Sequence, residues 1–185
     1  ERRALRLGRS QTVTLVDKAN VFTSMAFMRR VFSEVAAEFP GVPAANHYVD
    51  AMALDLVRRP WDFDVLPMEN MFGDILSDLG AGLIGGMGYA PSADIGDTHA
   101  VFQPSHGTGP DIAGKGIANP TAMILSAALM LDWLGTRGAG QVWCDAATEL
   151  EAAVDAAFAN GLRSAEFGGV GTAEVARAVA ECIPG

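Results

Sequence analysis

Cysteine is scarce in this chain: Cys144 and Cys182 are its only two, too far apart for the C-x-x-C spacing of a zinc or redox site. Two cysteines do not make a disulfide framework either, so a reducing, cytoplasmic setting is expected. Basic side chains are outnumbered, 13 Lys and Arg against 22 Asp and Glu, for a formal net charge of −9. With no long run of one sign, that balance argues against a nucleic-acid surface and for a small-molecule or protein partner. Every apolar run is interrupted by glycine or a polar residue before it reaches the ~18 residues of a membrane span, so no membrane partner is expected and the chain reads as soluble. The opening "ERRALRLGRSQTVTLV" has no initiator Met and no signal-peptide core, so a longer natural chain is expected upstream. What is plentiful is apolar material, 50% of 185 residues, enough for the core of one domain or of parts of two.

The pattern alternates between strand and helix, which makes the fold class α/β. A basic helix ends at Gly8, and a Thr/Val strand follows over about Thr12 to Val16. In "NVFTSMAFMRRVFSEVAAEFPG" the residues Val21, Met25, Met28, Phe32, Val35 and Phe39 recur at helical spacing until Pro40 and Gly41. "DAMALDLVRRP" reads as a shorter helix, "FDVLP" as a buried strand, and a third helix begins near Met71. A loop-rich stretch from Gly85 to Gly116 holds one edge-strand candidate, "AVFQP". In "NPTAMILSAALMLDWLG" Asn119 is the N-cap, Pro120 the first helical residue and Gly135 the residue just past the end. That helix is apolar nearly all round and therefore central. Helices over about 145–159 and 172–182 close the chain.

The sharpest chemical question lies in "ENMFGDILSDLGAGLIGGMG", where Asp74 and Asp78 sit among Met71, Ile75, Leu76 and Leu79. Residues four apart share a helical face, and two carboxylates that close repel unless a cation holds both ionised. Hard oxygen donors suit Mg²⁺ or Mn²⁺. On spacing alone the plainer reading, in which Asp74 caps a helix and Asp78 faces water, stays open. Asp50 stands where an extended segment turns into a helix, as a third carboxylate or as a plain cap. Lys18, in "VDKAN", follows a buried strand at the end where α/β proteins place reactive groups; it is a candidate base or a snorkelling surface lysine. In "PSHGTGPDIAGKGIANP" the glycines permit close backbone approach to a ligand and offer amide N–H groups to a pyrophosphate. The loop fits neither G-x-G-x-x-G nor the P-loop. An irregular loop, with His106 as a satisfied core histidine, is the alternative.

Together, "VDKAN", "ENMFGDILSDLGAGLIGG" and "HGTGPDIAGKGIANPTAMILSAALMLDWLG" resemble the isopropylmalate/isocitrate dehydrogenase family of metal-dependent β-decarboxylating dehydrogenases. The resemblance runs from about Gln11 to Gly135, continues loosely through "EFGGVGTAEVARAV", and covers only the C-terminal portion of such an enzyme. It implies the two-domain, non-Rossmann fold of that family, with residues 1–84 in a smaller dimer-forming domain and 85–185 in a larger NAD-binding domain. It makes Asp50, Asp74 and Asp78 ligands of Mg²⁺ or Mn²⁺. Lys18 and Asp50 become catalytic residues that reach into a neighbouring subunit's site, so that a homodimer shares its active sites. Asn20 would lie near the nicotinamide. His106, Gly107, Thr108 and Gly109 would lie along the cofactor, Asp111 would take the adenosine ribose hydroxyls, Ile112 would sit beside it and Asn119 would meet the adenine. NADP-using relatives carry a Lys-Tyr pair where this chain has Asp111-Ile112, so NAD is the implied cofactor.

The implied reaction is oxidative decarboxylation of a malate-type 2-hydroxy acid, with 3-isopropylmalate of leucine biosynthesis as the first choice. Homoisocitrate, isocitrate, tartrate and D-malate are alternatives, as is a non-catalytic regulatory subunit of the same fold. The chain departs from the best-known isopropylmalate enzymes at Met68, Ser105 and Thr108-Gly109. Its "GLIGGMGYAPSADIGDTHAVFQP" stretch is closer to homoisocitrate-type and archaeal-like members.

Overall fold

The computed structural model describes residues 11–184, so the helix expected before Gly8 lies outside the described residues. The chain divides between Leu83 and Ile84 into two compact units, one residue from the expected 84/85 boundary. Mixed helix and strand make it α/β. No helix among the described residues is long and apolar enough to cross a membrane.

In the first unit, β1 (Val13–Asp17) and β2 (Ala44–Tyr48) run parallel in a register that sets Asp17 beside Tyr48. Helix α1 (Thr23–Ala36) connects them, and α2 (Val49–Arg58) starts directly from the end of β2. Side chains alternate across β1. Val16 faces α2 and α3 (Asn70–Leu83), where Val16, Met52 and Leu76 are buried beneath Leu56, Phe63, Leu66 and Leu79. Leu15 turns the other way and lines a groove with Phe27, Met28 and Val31 of α1. That helix forms where its period predicts, but it buries no residue, and Phe27 is 57% exposed.

"FDVLP" is not the buried strand its composition suggests. It meets β1 through two isolated parallel bridges, Val13–Val65 and Val16–Met68, and Val65 is 48% exposed. Pro67 has no N–H to extend a ladder, and no described strand pairs with the segment's other side.

The second unit begins with a hairpin that the sequence only half reveals. β3 (Pro91–Ile95) pairs antiparallel with β4 (Ala100–Pro104), and β4 is the expected "AVFQP". β3 escapes a pattern reading because "PSADI" opens on a proline and carries no clean apolar alternation. It is fixed by its partner and by a tight link in which Gly96 N–H donates to the His99 carbonyl at 2.9 Å. Helix α4 (Thr121–Leu134) packs against both strands. The buried Ser126 hydroxyl fastens it there, 2.8 Å from the Gln103 carbonyl and 2.8 Å from that of Ala122. Helix α5 (Gln141–Ala159) lies along α4, and α6 (Thr172–Glu181) packs on α5. Ala153, Val154, Ala157 and Val179 form the core between them.

Two details at the ends of α4 differ from expectation. The helix begins at Thr121, with the Pro120 carbonyl accepting from Ile124 N–H at 3.0 Å. Asn119 keeps a capping role one residue earlier, its Oδ1 accepting the Thr121 N–H at 3.0 Å. Gly135 is not a left-handed stop: its φ is −58°, and a Cβ there would collide with Cys144 Sγ. Gly135 serves close helix approach rather than chain reversal, and the left-handed residues come later, Gly138 and Gly140 with φ of 98° and 109°. Nor is α4 enclosed all round, since Met123 and Met130 stay exposed.

Candidate functional site

The parallel register of β1 and β2 builds the first cluster. Because Asp17 lies beside Tyr48, the residues that follow, Lys18 on one strand and Val49-Asp50 on the other, emerge at the same sheet end. Lys18 Nζ donates to Asp50 Oδ1 at 2.6 Å, with the lysine side chain 23% exposed and the aspartate 67%. The Lys18 ammonium holds the Asp50 carboxyl below the usual carboxylate range, helped by backbone N–H groups of Asp50 and Ala51 in the first turn of α2. Asp50 is therefore not the N-cap; Tyr48 occupies that position.

Three residues that pattern reading passes over surround Lys18. Asp17 is buried, and its carboxylate accepts both Arg29 Nε at 2.7 Å and an Arg29 terminal nitrogen at 2.6 Å. The guanidinium also lies 4.9 Å from the centre of the Tyr48 ring, and Lys18 Nζ lies 6.0 Å from it. The signals were an acid closing an otherwise apolar strand and an arginine inside the "FMRRVF" run of α1. On the far side of α2, Asp55 accepts from Arg59 at 2.8 Å and lies 2.9 Å from His47 Nε2. Arg59 first, then His47, hold its carboxyl down to about 2.

Asp74 and Asp78 are exposed on α3, one turn apart, beside the exposed Met71 and Ile75. The apolar neighbours named in the sequence thus divide: Leu76 is buried and Ile75 open. Two adjacent carboxylates reachable from solvent fit a hard divalent cation in donor chemistry. Among the described residues, however, no three His, Cys, Asp or Glu side chains come together as a metal-binding group. Asp50 pairs with Lys18 and is not gathered with the other two. Asn20 is exposed in the turn that follows Lys18.

The second cluster belongs to the second unit. His106, Gly107, Thr108, Gly109 and Ile112 line a pocket of about 190 Å³ together with residues as far as Thr172. Whole-ligand pockets run to roughly 300–1,000 Å³, so this one suits part of a dinucleotide, such as its nucleoside end. Gly109, Gly114 and Gly116 take φ values of 52°, 74° and 66°, the left-handed region in which glycine is unstrained. The N-terminus of α6 docks on the loop: Thr172 N–H donates to the Gly116 carbonyl at 2.8 Å, and Thr172 Oγ1 to the Ala118 carbonyl at 2.6 Å.

His106 is half-buried, with Nδ1 donating to the Gly107 carbonyl at 2.9 Å, so it is part of the loop rather than a core residue. Asp111 is exposed. Asn119 is heavily engaged: its Oδ1 serves Thr121, and its Nδ2 donates to Glu166 Oε1 at 2.8 Å. Glu166 also accepts from the buried Ser164 hydroxyl at 3.0 Å, and that hydroxyl lies 2.9 Å from the Tyr89 hydroxyl. Glu166 opens the loosely matching "EFGGVGTAEVARAV" stretch, but its partnership with Asn119 is visible only in the fold.

The chain is similar to known proteins in sequence and fold. Residues 2–181 match the family described as isocitrate/isopropylmalate dehydrogenase. An isocitrate/homoisocitrate dehydrogenase of Thermus thermophilus is 50% identical over 98% of this chain and 54% of its own length. A 3-isopropylmalate/3-methylmalate dehydrogenase of Methanocaldococcus jannaschii is 44% identical over 96% of this chain and 52% of its own. The crystal structure of isocitrate dehydrogenase from Methylococcus capsulatus superposes with a TM-score of 0.87 at 41% identity, over 98% of this chain and 53% of that one. The chain spans about half the length of the curated relatives it matches.

Proposed function

The chain belongs to the isocitrate/isopropylmalate dehydrogenase family, and from that membership we propose that the protein carrying it oxidatively decarboxylates a malate-type 2-hydroxy acid with NAD⁺ and a divalent cation. The observation that carries the reading is the Lys18–Asp50 pair at 2.6 Å, a base candidate and a carboxylate delivered to one sheet end by strand register. Lys18, as the neutral amine, would accept the proton of the substrate hydroxyl, and a bound nicotinamide would supply the hydride acceptor. Asp50 keeps the Lys18 ammonium end in place between turnovers, and Asn20 borders the nicotinamide.

Asp74 and Asp78, with Asp50 of a second copy, are the residues that would hold Mg²⁺ or Mn²⁺. Such a cation supplies Lewis-acid polarisation of the substrate's hydroxyl and carboxylate oxygens when bound. A homodimer with shared sites is the arrangement we favour, because the described residues of one chain do not gather three carboxylates and α3 presents Met71 and Ile75 beside its aspartates, apolar area that a second copy would cover. The first unit would then be the dimer-forming part and the second the cofactor-binding part, in a cytoplasmic enzyme. His106, Gly107, Thr108 and Gly109 cradle the nucleotide. Asp111 takes the ribose hydroxyls and repels a 2′-phosphate, with Ile112 beside it. Asn119 meets the adenine edge from a side chain already oriented by Glu166.

The first substrate is 3-isopropylmalate, in leucine biosynthesis. A specific observation also favours homoisocitrate or isocitrate: the relative at 50% identity bears the name isocitrate/homoisocitrate dehydrogenase. The test is the initial rate of NADH formation by the longest native protein containing this chain, with Mn²⁺, against 3-isopropylmalate, homoisocitrate, isocitrate, tartrate and D-malate, with NADP⁺ in parallel. One preferred acid with NAD⁺ is expected. A folded, dimeric protein silent on all five would refute the reading.

A further inference from the structure

Lys18 is held from three sides by neighbouring groups. Its backbone N–H points to Met25 Sδ at 3.2 Å, and its carbonyl accepts from Val21 and Phe22 N–H at 2.9 and 3.0 Å. Directly before it, Asp17 folds its carboxylate over the turn, with Oδ1 accepting the Ala19 N–H at 2.9 Å. The same carboxylate receives the two-pronged Arg29 guanidinium, and Arg29 lies over Tyr48 with its central carbon 4.9 Å from the ring centre. Tyr48 is the last residue of β2 and the N-cap position of α2, two residues before Asp50.

One path therefore runs by contact from the Lys18 turn through Asp17 and Arg29 to Tyr48 and along two residues of backbone to Asp50, and the Lys18–Asp50 bond closes it into a ring. A buried carboxylate is expensive unless paired, and as a mere staple between α1 and β1 an apolar contact would serve as well. A planar fork that meets a carboxylate on one edge and an aromatic face on the other fixes two strand ends in angle as well as distance.

We propose that Arg29 and Asp17, acting across Tyr48, are positioning residues that hold the Lys18 ammonium and the Asp50 carboxylate in one geometry. The proposal rests on the reading that Lys18 and Asp50 serve the reaction, and it adds residues outside the motifs to the machinery. Arg29 touches neither substrate nor cofactor in this account; it acts through the two strand ends. Displacement of a reacting group by about 1 Å costs on the order of a hundredfold in rate, so a looser clamp reads out in turnover before it reads out in binding.

The test uses the longest native protein with Arg29→Lys, which keeps the charge that Asp17 needs but gives up the fork and the guanidinium contact with the Tyr48 ring. Tyr48→Leu removes the ring and leaves the buried pair intact, which guards against a folding failure of the first variant. Two readouts are taken at matched folded fraction. The first is kcat against KM: kcat is expected to fall about tenfold or more while KM for NAD⁺ stays within about twofold. The second needs no turnover: the rate of reductive methylation of Lys18, resolved by peptide mass spectrometry, is expected to rise in both variants as the ammonium leaves Asp50. Wild-type labelling rates at Lys18 in both variants overturn the proposal, as does wild-type kcat in both. A wild-type protein silent toward every acid refutes the functional reading alone, because the labelling rate still reports on the clamp.

Discussion

Substitution of Gly171 by alanine probes the proposed nucleotide loop through space rather than through a change of charge. Gly171 has φ −78° and ψ 178°, extended backbone that any residue adopts, so an effect cannot come from backbone strain. It comes from space: an alanine Cβ would lie 2.6 Å from the Gly116 carbonyl oxygen and 3.1 Å from Glu174 Oε2. The glutamate end can swing aside. The Gly116 carbonyl cannot yield without disturbing its bond from Thr172 N–H at 2.8 Å, beside the Thr172–Ala118 bond at 2.6 Å. Overpacking of this kind costs about 1–3 kcal/mol. In the free protein the loop relaxes outward and relieves most of it, whereas a bound nucleotide needs the loop where it now stands, so the strain falls on the complex. At about 1.4 kcal/mol per tenfold, KM for NAD⁺ should rise about 5- to 150-fold with kcat little changed. Steady-state NADH formation over a range of NAD⁺ measures this, with thermal melting to show an intact fold. Gly80→Ala is the control of opposite sign: nothing lies within 4 Å of a Cβ there, and alanine inside a helix gains up to about 1 kcal/mol. A KM for NAD⁺ in Gly171→Ala equal to that of wild type would refute the assignment of this loop to the nucleotide.

Asp74→Asn and Asp78→Asn should each weaken Mn²⁺ binding by about tenfold or more, measured by calorimetric titration without substrate; unchanged affinity in both removes the metal from α3. Asp111→Lys should move the ratio of kcat/KM for NAD⁺ over NADP⁺ toward NADP⁺, because a cation replaces the charge that repels a 2′-phosphate; a ratio that does not move places the ribose elsewhere. The Asp55 cluster predicts a pH dependence. Its carboxyl is held down to about 2 in the folded chain against about 4 when unfolded, so its stabilisation is fully present above pH ~4 and drains away as pH falls toward ~2. Melting temperatures across that window should fall less steeply for Asp55→Asn than for wild type, and parallel slopes would contradict the pairing.

Legibility of this protein in its sequence follows the range of the forces involved. Helices α1 to α6 were readable because periodicity and, at α4, the Asn119 cap act within a few residues, and the loop from His106 to Gly116 because glycine density is local. β3 and the weak pairing of 63–68 were not, because a short strand exists only through its partner. The candidate site divides the same way. Lys18, Asp50, Asp74 and Asp78 announce themselves through charge in apolar surroundings. Their supporting groups do not: Arg29 meets Asp17 twelve residues away, and Glu166 meets Asn119 forty-seven away. What joins the two levels is the register of a single strand pair. Slipping β2 by one residue along β1 would turn every β2 side chain to the opposite face, carry Tyr48 away from Arg29 and part Asp50 from Lys18. Met52, four residues past the end of β2, packs against Val16 of β1 and Leu76, so packing beneath the sheet ties the end of β2 to β1 and bears on the chemistry there. A cavity there, as in Met52→Ala, loosens more than stability: the roughly 2–5 kcal/mol it costs is drawn from the same contacts that hold Lys18 and Asp50 at one sheet end.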